Sequence, residues 1–327
     1  MKIHPHHLNL LSAAVKSGLN KGLSGFIWML KILVPISFFT LLLDYSGWLS
    51  QADFLLSPAM GLLGLPSAAA LPLIVGLLTG IYGAIATMTV LPLAPNHMTL
   101  VAIFLLISHN MIQEGIIQGK SGINPFRATL IRLAASVITV IIVARLLPAG
   151  PEVAQALSEA ALSGSGTFWP MLIHWGNDTA WLCLKIFAII ITLMVVLETM
   201  KAFNIIPHIL RIIHPFLRVM GLDRQVGMLW LTAGMFGIAY GAAVIMEEAR
   251  ENVFEEAALT RLHISIGINH SMIEDPALFL PLGLSAFWLW VPRLIAAIIA
   301  VQLFSLWHRI RPDRPVGGLH GPAGADL

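Results

Sequence analysis

The stretch Asn269-His270-Ser271-Met272-Ile273-Glu274-Asp275-Pro276 sits between apolar segments and sets an imidazole, a hydroxyl and two carboxylates among them. Ionisable side chains at membrane depth are expensive, so the default reading is a functional site facing a protein-lined cavity. A second version, His109-Asn110-Met111-Ile112-Gln113-Glu114, stands 161 residues earlier. How these two stretches are placed decides the fold.

Their surroundings are those of a membrane protein. Of the 327 residues 57% are hydrophobic and only 11% charged, whereas a soluble domain carries about 25% charged residues. Apolar runs cover 24–43, 67–91, 98–118, 126–147, 180–200, 226–246, 262–274 and 277–307. Most are long enough to cross a bilayer, which takes about 20 residues. Shorter amphipathic helices are expected at 51–64 and 205–221, and His7 to Leu23 reads as an amphipathic helix of its own. A formal charge of +2 without a long basic run excludes a nucleic-acid partner. The single Cys183 excludes an intramolecular disulfide and a cysteine metal cage. Phosphate-binding loops, GxSxG and HExxH are absent from the sequence, so neither an ATP-driven pump nor a hydrolase is expected, and the chain is not read as an enzyme.

The chain repeats itself. Lys31 and Asp44 match Lys185 and Glu198 at a separation of 154, and Ser57-Pro58 with Gly64 matches His214-Pro215 with Gly221 at 157. Gly80-Ile81-Tyr82-Gly83 answers Gly237 to Gly241, which contains Tyr240. The histidine stretches and the pair Arg132/Arg293 both recur at 161. Five landmarks in one order are hard to obtain by chance.

Charge orients the halves. Lys16 and Lys21, Lys120 and Arg127, the 201–224 segment and the C-terminal arginines are basic, while 44–66 and 148–179 hold no Lys or Arg. By the positive-inside rule, equivalent loops fall on opposite faces, as in inverted-topology repeats of secondary transporters. The expected organisation is an all-α polytopic membrane protein. It comprises a cytoplasmic amphipathic segment (1–23), a first repeat (24–147), an extracytoplasmic linker (148–179), a second repeat (180–308) and a disordered cytoplasmic tail (309–327). Each half offers four apolar segments, yet inversion needs an odd number of crossings. One segment per half is therefore expected to be broken or re-entrant, and the histidine stretches are the candidates, meeting near the midplane.

On a continuous helix His270 and Glu274 share one face, where they could ligate a divalent cation or relay a proton. The paired candidate set is His109, Asn110, Gln113, Glu114, Asn269, His270, Ser271, Glu274 and Asp275. Tyr82 and Tyr240 add candidate hydroxyls, and His270, Glu274 and His109 are the candidate metal ligands. Against this stands a structural reading, in which these groups pair only with one another and pin helices. Lys31, Arg132 and Arg293 read as snorkelling to the interface.

With these motifs in view, the chain resembles the Gate, or nucleoside recognition, family. That family includes the membrane part of FeoB-type ferrous-iron permeases and relatives of concentrative nucleoside transporters. The resemblance rests on Gly80 to Gly83, His109 to Glu114, Gly237 to Gly241 and Asn269 to Pro276, and spans nearly the whole chain as two Gate-like repeats. It implies a bacterial-type inner-membrane helical transporter with both termini cytoplasmic. The expected function is alternating-access movement of a small polar, nucleoside-like solute or a divalent cation, coupled to H+ or Na+. The alternative is a membrane scaffold or partner subunit. Beyond the lipid bilayer and the substrate, a homo-oligomer is a candidate assembly. No GTPase domain and no membrane cysteine cluster accompany the resemblance.

Overall fold

A computed structural model of the chain describes residues 5–51, 53–147, 167–222, 224–237, 241, 244–248 and 255–310. All its regular elements are helical. The first half runs α1 (Pro5–Tyr45), α2 (Trp48–Gln51), α3 (Asp53–Leu62), α4 (Ala70–Thr79), α5 (Ile81–Met88), α6 (Pro95–Ser108), α7 (Met111–Lys120) and α8 (Pro125–Leu146). The second half contains α9 (Phe168–Ala202), α10 (Ile206–Val219), α11 (Arg224–Phe236), α12 (Glu256–Asn269), α13 (Glu274–Phe279) and α14 (Ala286–Ile310).

Five segments are long and apolar enough to cross a membrane: 7–45, 95–120, 125–146, 168–202 and 286–310. The bent pair 54–62 and 67–79, meeting at 84°, makes a sixth if it counts as one span. The chain is a multi-pass membrane protein. Segment 95–120 is central: 72% of its apolar window is buried, against 22–28% in the other four. Those four turn residues such as Phe39, Ile138, Trp181 and Leu303 outward, as lipid-facing surfaces require.

Two sequence expectations change at the ends of the halves. Residues 7–23 do not form a separate helix but run on into the first span within α1. Residues 168–179, read as linker, begin α9, while 148–166 and the tail from 311 lie outside the described residues. The cause of the first change is packing of α1 along α9. Glu198 accepts hydrogen bonds from Lys21 and Ser17, both at 2.8 Å. Gly18 lies so close to α9 that an added Cβ would stand 2.6 Å from Val195 Cα and 2.9 Å from Met194 O. Backbone cannot yield as a side chain does. Gly18→Leu is therefore expected to lower unfolding stability in detergent by about 1–3 kcal/mol through overpacking. Gly25→Leu, whose nearest neighbour is Ile190 Cγ2 at 4.0 Å, should leave the melting temperature nearly unchanged. Equal losses would show that close α1–α9 contact is not what holds the N-terminal stretch.

The repeat is visible in the backbone. Gly64 and Gly221 both have φ +68°, and Gly80 and Gly237 have +91° and +84°. Gly80 separates α4 from α5 with ψ −173°, a conformation essentially reserved for glycine. The run 67–91 is thereby cut in two. Asn110 and Ser271 are left-handed at φ 50° and 47°. Their amides bond to equivalent carbonyls, Asn110 N to Gly76 O at 3.0 Å and Ser271 N to Ala233 O at 3.3 Å. Both histidine segments are broken, but the crossing argument expects one break per half, and the first half has a second at Gly80.

Candidate functional site

Helices α6 and α12 each end on a histidine in extended conformation, ψ 162° at His109 and 169° at His270. The next residue is left-handed, which costs energy for a side chain other than glycine. The chain therefore turns instead of continuing, and the two histidines meet with ring centroids 5.1 Å apart. Each ring is fixed by its own helix. His109 Nδ1 lies 2.8 Å from Leu105 O and His270 Nδ1 lies 2.9 Å from Ile266 O. A carbonyl only accepts, so both Nδ1 atoms carry the proton and both Nε2 atoms face the interior.

What they face is carboxylate. Glu114 Oε1 is 3.0 Å from His109 Nε2 and 3.2 Å from His270 Nε2. Asp275 Oδ2 is 3.6 Å from His109 Nε2. Asp275 Oδ2 has no hydrogen-bond partner although it is buried. His109, His270 and Asp275 each present one ligand atom, all within 4.8 Å of one another. Backbone-anchored Nδ1–H with Nε2 directed at a shared point is how histidine is oriented for a metal.

Arg132 and Arg293 complete the cluster, and both are 1% exposed. Arg132 Nη2 pairs with Glu114 Oε2 at 2.8 Å and donates to His109 O at 2.9 Å, while its Nε donates to Ile107 O at 3.0 Å. Arg293 Nη2 donates to His270 O. Each guanidinium thus caps the carbonyl end of the helix carrying its histidine. The snorkelling reading of these two arginines is overturned: they are inside, because helix ends broken in the interior must be satisfied there. The signal was present in the sequence, since the arginines recur at the same 161-residue offset as the histidines.

The shared helical face of His270 and Glu274 is overturned as well. The turn at Ser271 separates α12 from α13, and Glu274 Oε1 instead receives the Tyr82 hydroxyl at 3.3 Å. In the candidate metal set Asp275 takes the place of Glu274. Asn110 donates to Gln113 at 2.9 Å on the exposed side of α7, away from the cluster. Asn269 is buried, with its amide on Met272 Sδ at 3.4 Å and its Oδ1 without a partner. Ser271 contributes the turn itself, braced by Trp290 Nε1 on Met272 O at 2.7 Å. Tyr240 lies outside the described residues.

Comparison with known proteins finds membrane-protein relatives. Residues 26–160 match the Gate family, described as nucleoside recognition. An uncharacterized membrane protein of Bacillus subtilis, YvoD, is 26% identical over 289 residues, covering 88% of this chain and 93% of that protein. The Fe(2+) transporter FeoB of Legionella pneumophila (strain Lens) is 35% identical over 71 residues, 22% of this chain and 10% of FeoB. No solved structure matches the chain.

Proposed function

Because residues 26–160 carry a Gate domain, we propose that this protein is an inner-membrane permease that moves a divalent cation through the cluster at its two helix breaks. The carrying observation is the trio His109, His270 and Asp275, with ligand atoms mutually within 4.8 Å. That spacing suits an ion better than a nucleoside-sized solute, and imidazole with carboxylate suits a divalent metal. Local similarity to an Fe(2+) transporter points the same way. Basic loops argue for an inverted arrangement of the halves with both termini cytoplasmic. Rocking of one half against the other would expose the cluster alternately. The same Nε2 atoms accept either a proton or a metal, so occupancy by one excludes the other and couples transport to H+; Na+ is the other candidate coupling ion.

The second reading, a non-transporting scaffold or partner subunit, draws on the Arg132–Glu114 pair, which by itself ties α8 to α7. Uptake separates the two. Proteoliposomes holding a metal-sensitive dye are expected to take up Mn2+ saturably with the wild-type chain, and not with His109→Ala combined with His270→Ala. A folded wild-type protein that moves neither Mn2+, Zn2+ nor a nucleoside would favour the scaffold.

A further inference from the structure

A second set of buried polar groups leads away from the cluster on one side. His263 and Gln118 are each 1% exposed. His263 Nε2 donates to Ser121 O at 2.9 Å, and Gln118 Nε2 donates to His263 O at 3.0 Å. That leaves His263 Nδ1 and Gln118 Oε1 as acceptors without a protein partner, and Arg132 Nη1 as a donor without one. Gly267 brings these groups together: a Cβ there would meet Gln118 Nε2 at 3.0 Å and Arg132 Cδ at 3.3 Å. Arg132 then leads to Glu114 and the histidines. The polar groups run from the turn after α7 to Gly267, where Arg132 of the cluster lies alongside them.

The repeat supplies a comparison inside the same molecule. The counterpart of His263, 161 residues earlier, is Ala102; that of Gly267 is Leu106; and that of Gln118, 161 residues later, is Phe279. All three are fully buried. Where one of the two symmetry-related contacts between the halves, Gln118 with His263 and Gly267, keeps two acceptors and a glycine closed over by Gln118 and Arg132, the other, Phe279 with Ala102 and Leu106, is hydrocarbon throughout. A buried acceptor without a partner is costly, and water is its usual remedy where the site is polar.

We propose that Gln118 and His263 line a hydrated access arm, which connects the cluster to the side of the 121–124 turn, while Phe279, Leu106 and Ala102 seal the equivalent route. Water, and small cations carried with it, reach Glu114 and the histidines from that side only. This rests on the cluster being a binding site, but its test does not require transport, so failure of uptake and failure of the arm are separate results.

The test is thiol modification in membrane vesicles of both orientations, on a Cys183→Ser background, with a small membrane-impermeant trimethylammonium methanethiosulfonate. Gln118→Cys and His263→Cys are expected to react from the same side as exposed Lys120→Cys. They should react more than about tenfold faster than Phe279→Cys and Ala102→Cys, whose modification needs local opening of a packed core. Variants are compared only where their unfolding temperature matches the parent, and the two arm positions are independent of each other. Fast modification of Phe279→Cys or Ala102→Cys would overturn the proposal. So would protection of every well-folded arm variant while Lys120→Cys reacts.

Discussion

Arg132→Met is expected to destabilise the protein by about 3–5 kcal/mol, because removing one member of a buried ion pair strands the other charge. Glu114 is 4% exposed, and among the described residues Arg132 is the arginine that pairs with it, at 2.8 Å. The same substitution frees the carbonyls of Ile107 and His109, where α6 ends in the interior. Arg293→Met should cost less, about 1–3 kcal/mol, since Arg293 caps His270 O but forms no ion pair with Asp275 within 4 Å among the described residues. Thermal unfolding in detergent, followed by tryptophan fluorescence, ranks the two. Adding Glu114→Gln to Arg132→Met should recover part of the loss, because the stranded charge disappears, and the double-mutant cycle measures the coupling. An Arg293→Met variant weaker than Arg132→Met would mean that the interior ion pair is not what holds the α6–α7 break together.

The difference between these arginines also shows what the sequence could express. Run lengths and the 161-residue offset made the helical class, the repeat and both broken segments legible, since hydrophobic length and internal similarity are properties of the chain alone. The direction of side chains after each break was not. It depends on one residue per half entering the left-handed region: Asn110 tolerates that conformation, but Ser271 carries no such preference. A helical register drawn through Ser271 therefore put Glu274 beside His270. Likewise the 7–23 stretch looked like a surface helix until Gly18 and Glu198, distant in sequence, were seen to fasten it to α9. Gln118 and His263 gave no pairing signal at all, because the repeat replaces both with apolar residues.

The two readings of the second motif diverge most in cation affinity. Asp275→Asn is expected to weaken Mn2+ or Zn2+ binding to the purified protein by at least about a hundredfold. Changes merely supporting a ligand already cost 10–100-fold, and here a ligand oxygen loses its charge. Glu274→Gln, whose carboxylate turns to Tyr82, should cost no more than about tenfold. Isothermal titration on both variants gives the order directly, and unfolding temperatures show whether either has lost its fold. The opposite order would mean that the cation-bound protein has residues 270–274 wound into one continuous helix, which restores the face that His270 and Glu274 share at i and i+4. That outcome would also replace the Ser271 N to Ala233 O hydrogen bond of 3.3 Å with a helical one to Gly267 O, so the amide NMR signal of Ser271 would move on adding the cation. With Asp275 as ligand the turn and its bond to Ala233 O stay as they are, and the Ser271 amide signal keeps its position.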